Sequence, residues 1–286
     1  MNPQFPIYIP SKGRWESRLT ARFLASIGVP YRIVVEASEA DAYRSVIEGG
    51  DVLVLDPAYQ RAYDACDTLG ETMPKGSGPA RNFIWDHAIA SGASHHWVMD
   101  DNIRGFGRYH RNDQILVSDG TVLRCMEDFV LRYTNIGMAG PNYMFFVKRK
   151  QPRIPPFYLN TRVYSCNLIR SDVPFRWRGR FNEDTDLSLR LLKAKWCTVL
   201  FNAFLQYKVR TMSMKGGNTD TIYVDGTLAK SRMIVDLHPD VARLTWRFGR
   251  PHHYVDYGGF THVPLLKAGV VVGAGADDYG MRLETV

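Results

Sequence analysis

The chain lacks any apolar run approaching the roughly 18 residues of a membrane-crossing helix. Its opening residues, Met1 to Pro10, lack the basic start, apolar core and small-residue cleavage site of a secretory leader. These two absences predict a soluble, cytoplasmic protein with no membrane partner. Cysteine is scarce: Cys66, Cys125, Cys166 and Cys197 are the four in the chain, and no two form a CxxC pair. Neither a zinc site nor a disulfide framework is indicated, so they read as reduced, mostly buried thiols. Internal repeats and low-complexity tracts are also missing, which excludes a solenoid. Acidic residues are the minority among the charges, 29 against 36 lysines and arginines, and the net charge of +7 favours a polyanionic partner. A nucleotide diphosphate alone accounts for part of that bias.

What is present is the composition of a globular protein, 45% hydrophobic, 12% aromatic and 23% charged. The simplest organisation is one catalytic domain over residues 1–286. Apolar runs predict strands at Phe5 to Ile9, Tyr31 to Val35, Val52 to Leu55 and His95 to Met99. Between them, helical spacing appears at Trp15 to Ile27, Ala40 to Ile47 and, after the glycine-rich loop Pro74 to Pro79, Ala80 to Ala90. Strands alternating with helices at this spacing predict βαβ units and a parallel sheet. Ligands of such sheets bind at the carboxyl ends of the strands, where Ser11, Glu36 and Asp100 stand. The second half is less regular. It predicts helices at Thr121 to Tyr133 and Asp184 to Lys193, and strands at Tyr143 to Val147, Val163 to Ile169 and Thr198 to Leu205. From Thr211 onward no period is legible.

The sharpest chemical signal is His95 to Asn102, HHWVMDDN. Oxygen ligands at a strand end suit a hard divalent cation that shares its other positions with substrate phosphates. Asp100, Asp101 and Asn102 are therefore candidate metal ligands, with a solvated strand-end turn as the alternative. Upstream, Gly76, Gly78, Ala80, Arg81 and Asn82 lie in KGSGPARN, one helix before the acidic run, and Arg81 there is a candidate phosphate contact. Downstream, Asn182 to Leu192 reads NEDTDLSLRLL. Asn182 is placed to cap that helix, and carboxylates in its first turn are favoured by the dipole whether or not they are catalytic. Lys215 lies in MKGGN, whose glycines allow a lid that closes on a diphosphate; an exposed loop is the alternative.

In this order, the motifs resemble those of GT-A glycosyltransferases, above all the inverting enzymes with a glycine, then ARN, then a helix, then an apolar strand ending in DxD. The last position of that triplet is Asn102 here, so either Asp101 or Asn102 completes a metal site beside Asp100. The resemblance implies a Rossmann-like nucleotide-sugar-binding sheet with helices on both faces. It places a donor nucleotide-binding half over 1–110 and an acceptor-binding, catalytic half over 111–286. It gives Ile9, Pro10, Ser11 and Arg14 of IPSKGR, with Glu36, Gly78, Arg81, Asp100 and Lys215, to the donor, and implies manganese or magnesium. It makes Asp184 the candidate base, with Glu183 next and Asp186 structural. A direct displacement at an anomeric carbon needs such a carboxylate to take the acceptor's hydroxyl proton. Relatives often supply one late histidine to the metal, and His238, His252, His253 and His262 are available; His95 and His96, at a strand start, are not expected to ligate.

Within that group the chain is most similar to glycosyltransferases of tailed phages associated with TET/JBP-type hydroxylases. IPSKGR followed by Trp15, GPARN and MDDNI carry the likeness. It implies transfer from a UDP-sugar to the hydroxyl of 5-hydroxymethylcytosine in DNA, within the host cytoplasm if the protein is phage-encoded. Two basic clusters agree: Lys148, Arg149, Lys150 and Arg153 among aromatic residues, and Arg176, Trp177, Arg178 and Arg180 just before the ED motif. The alternatives are a transferase acting on a polysaccharide, lipid-linked glycan or protein, and a non-catalytic DNA-binding protein on a degenerate transferase fold.

Overall fold

The computed structural model describes residues 1–68, 70, 74–150, 154–209, 228–247 and 249–271. The first βα units are β1 (Ile7–Pro10), α1 (Leu19–Ser26), β2 (Tyr31–Val35), α2 (Ala40–Arg44), β3 (Gly50–Val54), α3 (Pro57–Ala62), α4 (Gly78–Ala90) and β4 (His95–Met99). There follow β5 (Ile103–His110), β6 (Asp113–Leu116), α5 (Thr121–Leu131), β7 (Ile136–Tyr143), β8 (Phe157–Leu159) and β9 (Cys166–Arg170). The last elements are α6 (Glu183–Lys193), β10 (Cys197–Lys208), α7 (Leu228–Leu237), β11 (Ala242–Arg247) and β12 (Arg250–Val255).

One large sheet runs in the order β3-β2-β1-β4-β9-β7-β10-β5-β6, with β8 added on β10. The four strands β3, β2, β1 and β4 are mutually parallel. The sheet is mixed rather than wholly parallel, because β9 lies antiparallel between β4 and β7, and β5 antiparallel to β10. It also runs through the expected boundary between halves: β4 pairs with β9, and β5 with β10.

Alternate residues of the central strands feed two cores, as a period of two requires. Ile7, Ile9, Ile33, Val35, Trp97 and Met99 pack with Leu24 of α1 and Leu123, Met126 and Val130 of α5. Tyr8, Val34 and Val98 point the other way and meet Ile84, Trp85 and Ala88 of α4 and Leu187 and Leu191 of α6. Helices therefore cover both faces, as expected. Among the described residues no helix is long and apolar enough to cross a membrane.

Tyr143 to Val147, predicted as a strand, is mostly turn, and the strand lies earlier, at Ile136–Tyr143. The segment IGMAGPNY hides this because Gly137, Gly140 and Pro141 look like breakers. Gly140 instead permits a close approach: a Cβ there would stand 2.1 Å from the Cys166 carbonyl of β9. Pro141 has no N–H to give, and the β7–β10 register shifts just where Pro141 meets Phe201. Gly140→Ala should therefore cost about 1–3 kcal/mol or more, since the obstacle is backbone. Gly105→Ala, whose Cβ would meet only an ordinary 3.6 Å contact with Phe23, should cost far less. Denaturant midpoints that fall equally for both variants would contradict this account of β7.

Candidate active site

Parallel strands place their carboxyl ends on one edge, and the chain order reverses between β1 and β4. After β1 the sheet grows toward β2 and β3, and then returns to add β4 on the other side. Such a switch point opens a crevice beyond the strand ends. Ser11 leaves β1 there, Glu36 leaves β2, and Asp100 and Asp101 leave β4. Ile9 and Pro10 are themselves buried in the strand, so only their backbone borders the crevice.

At the centre is the buried guanidinium of Arg81, on the first turn of α4. Its Nη2 donates to Asp100 Oδ1 at 2.7 Å and its Nη1 to Asp184 Oδ1 at 3.2 Å. Its Nε donates to Ser77 Oγ at 3.1 Å and lies 3.6 Å from Glu183 Oε1. The Trp177 ring closes one side, 4.7 Å from the guanidinium carbon. Two motifs far apart in sequence, with Arg81 and Asp184 separated by 103 residues, thus meet the strand-end aspartate on one cation.

Lys208, at the end of β10, lies on the other side of Asp100. Its ammonium reaches Asp100 Oδ2 at 2.5 Å and Ser165 Oγ at 2.7 Å, and Tyr143 Oη shares a hydrogen bond with the same hydroxyl at 2.6 Å. Burial alone would raise the Asp100 carboxyl, but Lys208 and Arg81 outweigh it and hold the group at about 2. Asp184 differs. Burial pushes its carboxyl up to about 6 against the opposing pull of Arg81, with Glu183 and Asp100 adding repulsion. The Ser165 backbone N–H and the Asn167 amide each donate to it at 3.2 Å. The side chains of Asp100 and Asp184 keep 23% and 17% exposure, so both carboxylates border solvent.

Asp101 turns away from this cluster. It accepts from Arg14 Nη1 at 2.5 Å and from Ser11 Oγ at 2.8 Å, and Ser11 in turn meets Tyr43 Oη at 2.7 Å. Asp101 therefore shapes the loop after β1. That loop explains why α1 starts at Leu19 and not Trp15: Thr20 donates to the Asp100 carbonyl and accepts from Ile103 N–H, tying the helix start to the strand end. Asn102 is buried, with Oδ1 unpartnered among the described residues.

A divalent ion needs carboxylate oxygens facing one point. Here each Asp100 oxygen already accepts from a cation, and Asp101 faces Arg14 and Ser11. Among the described residues no three His, Cys, Asp or Glu side chains are arranged to hold a metal. The donor set as placed does not fit the metal expected on Asp100, Asp101 and Asn102.

The late histidines serve elsewhere. His238 Nε2 meets Asp186 Oδ1 at 3.0 Å, His252 bonds the His253 carbonyl, His253 is buried, and His262 meets the Trp196 carbonyl at 2.7 Å. Asp186, read as structural, is fully buried and ligated by Arg178, Arg190 and His238. Asn182 does not cap α6 through its side chain; it adopts a left-handed conformation and its amide donates to the Lys230 carbonyl at 2.6 Å.

Glu36 stays at the open end of the crevice, paired with Lys12 at 2.7 Å. Gly78 has a packing reason: a Cβ would stand 1.8 Å from the hydroxyl of buried Tyr63, which donates to the Gly179 carbonyl. Of the two basic clusters, the second is drawn inward. Trp177 is buried, Arg178 holds Asp186, Arg180 holds Asp67, and Arg176 pairs with Asp86 over the Trp85 ring. Lys148, Arg149 and Lys150 remain exposed beside exposed Phe145 and Phe146. Arg153 and Lys215 lie outside the described residues. Sequence reading missed Lys208, Ser165, Ser77 and Asn167. Lys208 sits three residues beyond the expected end of its strand, where Gln206, Tyr207 and Lys208 obscure the apolar pattern.

A Rossmann-like half sheet with a carboxylate helix facing its switch point defines a GT-A-type glycosyltransferase. The chain belongs to the TET-associated glycosyltransferase family, whose model matches residues 5–217. No curated protein matches the chain.

Arg81 holds three carboxylates that its loss would leave facing one another. Arg81→Met should lower stability by about 3–5 kcal/mol, the cost of removing one partner of a buried ionic cluster. Arg81→Lys should recover little, because a point charge cannot make the fork. Denaturation midpoints unchanged from wild type would remove Arg81 from this role.

Proposed function

We propose that the protein transfers a sugar from a UDP-sugar to the hydroxyl of 5-hydroxymethylcytosine in DNA. The observation that carries the reading is the Asp184 carboxylate, held on Arg81 beside Asp100 and Lys208 at the switch point. The donor half is residues 1–110, with Ser11, Arg14 and Glu36 bordering the nucleotide, and the acceptor half is 111–286. Family membership supports sugar transfer. The TET association in its name, the net charge of +7 and the exposed Lys148 to Lys150 segment support a DNA acceptor.

The chemistry needs one proton acceptor and charge to meet the leaving group. Asp184 takes the proton of the acceptor hydroxyl as its oxygen bonds to the anomeric carbon. The bond from that carbon to the diphosphate oxygen breaks, and UDP leaves with the electron pair. Lys208 and Arg81 carry the positive charge beside Asp100, and the diphosphate competes with Asp100 for Lys208. Glu183, bonded by Ser77 at 2.8 Å, is the second carboxylate of the same turn.

Asp184 acts only when ionised, so kcat/KM should fall as pH drops through about 6, the value to which burial lifts it. A pH profile flat through that value would deny it the role. Asp184→Asn should cut transfer by about 100- to 10,000-fold with UDP affinity retained; equal loss of UDP binding would make it a donor ligand. The direct test incubates hydroxymethylcytosine DNA with a panel of UDP-sugars and follows nucleoside mass. A sugar-sized gain on that nucleoside is expected. Transfer to glycan or protein acceptors with none to DNA would replace this reading.

A further inference from the structure

We propose that the β11–β12 hairpin is a DNA-binding ribbon that delivers the acceptor to the Asp184 site; this rests on the DNA-acceptor reading above. From Ala242 to Val255 the sequence, ARLTWRFGRPHHYV, holds three arginines and no acidic residue. The register sets Arg243 opposite Tyr254, Thr245 opposite His252 and Arg247 opposite Arg250, so these six share one face. Arg243 and Arg247 both lie over the Tyr254 ring, at 4.5 and 5.6 Å. All three arginines are exposed, and among the described residues none pairs with a carboxylate. Like charges directly opposite in a ladder are destabilising, so the Arg247 and Arg250 pair costs the free hairpin stability that a polyanion restores. Near the tip, on the face opposite the arginines and paired with Pro251, Trp246 is 69% exposed, a large stacking surface.

The ribbon is joined through α7 to the start of α6. Ser231 of α7 donates to the Pro251 carbonyl of β12 at 3.3 Å, and the Lys230 carbonyl beside it accepts from Asn182, the residue that opens α6 just before Glu183 and Asp184. An acceptor reaching Asp184 therefore meets a basic, aromatic ribbon on the element next to it. A two-stranded ribbon also has the width that the duplex major groove admits. Phosphates of the duplex acceptor satisfy the arginines on one face, and Trp246, at the tip on the other face, reaches past the ribbon's end to a sugar or base.

The test measures binding of the whole chain to a fluorescent hydroxymethylcytosine duplex across a salt series, with UDP binding as the control. Substituting Arg243→Gln, Arg247→Gln and Arg250→Gln together should weaken DNA binding more than about tenfold and reduce the salt slope by about 2–3, roughly 0.9 per lost phosphate contact. UDP binding should be unchanged. Trp246→Ala should weaken DNA binding with the slope kept, because stacking releases no counterions; this separates contact loss from misfolding. Wild-type affinity and slope in the triple variant would overturn the ribbon and leave the DNA reading standing. No DNA binding by wild type would overturn both. Binding to phosphatidylserine vesicles but not to the duplex would make the hairpin a membrane surface and also overturn it.

Discussion

A single buried guanidinium organises the site. Arg81 is nearly inaccessible to water, and a charge so placed is costly unless hydrogen-bonded and paired. The fold meets that requirement by bringing Asp100 from a strand end, and Glu183 and Asp184 from a helix start, onto its three nitrogens. Neither carboxylate pair would sit together unaided, since three negative groups in one crevice repel. The start of α4, the end of β4 and the start of α6 meet where these charges are balanced.

The same balance divides the carboxylates by function. Asp100 is flanked by two cations and stays ionised at any working pH, which suits a group that orients cationic neighbours. Asp184 is largely buried and shares Arg81 with two other acids, and burial pushes its carboxyl up to about 6. In the proposed role of base, such a carboxylate is ionised at neutral pH yet still holds a proton usefully. Asp101 faces Arg14 and Ser11 in the loop that leads into α1. Two aspartates at the end of β4 and one on α6 thus sit in three different electrostatic settings, decided by what faces each.

The first half of the fold was legible because it is periodic. Tyr31–Val35 and His95–Met99 appear as read, and alternate residues of β1, β2 and β4 enter opposite cores. Of the later strands, β9 and β10 lie close to Val163–Ile169 and Thr198–Leu205 as read, but β5 and β7 were not legible, because their residues answer to close approach rather than to hydropathy: Gly140 makes room for a β9 carbonyl, and β5, IRGFGRYH, carries arginines within its run. In the site, motif residues declared themselves by type and order, but their partners did not. Nothing in a lysine after FLQY marks Lys208 as the second cation on Asp100, and nothing in RWRGR separates arginines that grip Asp186 and Asp67 from arginines free to meet phosphate. The exposed basic ribbon stands instead in Ala242–Val255, where no helical or strand period was apparent in sequence.

A crystal structure of the UDP complex tests the central claim most directly. The diphosphate is expected at the carboxyl ends of β1 and β4, with Lys208 turned from Asp100 to a phosphate oxygen and the open side of Asp184 facing the donor. UDP seated elsewhere, or bound there with Lys208 still held on Asp100 and a metal between the phosphates and Asp101, would contradict it.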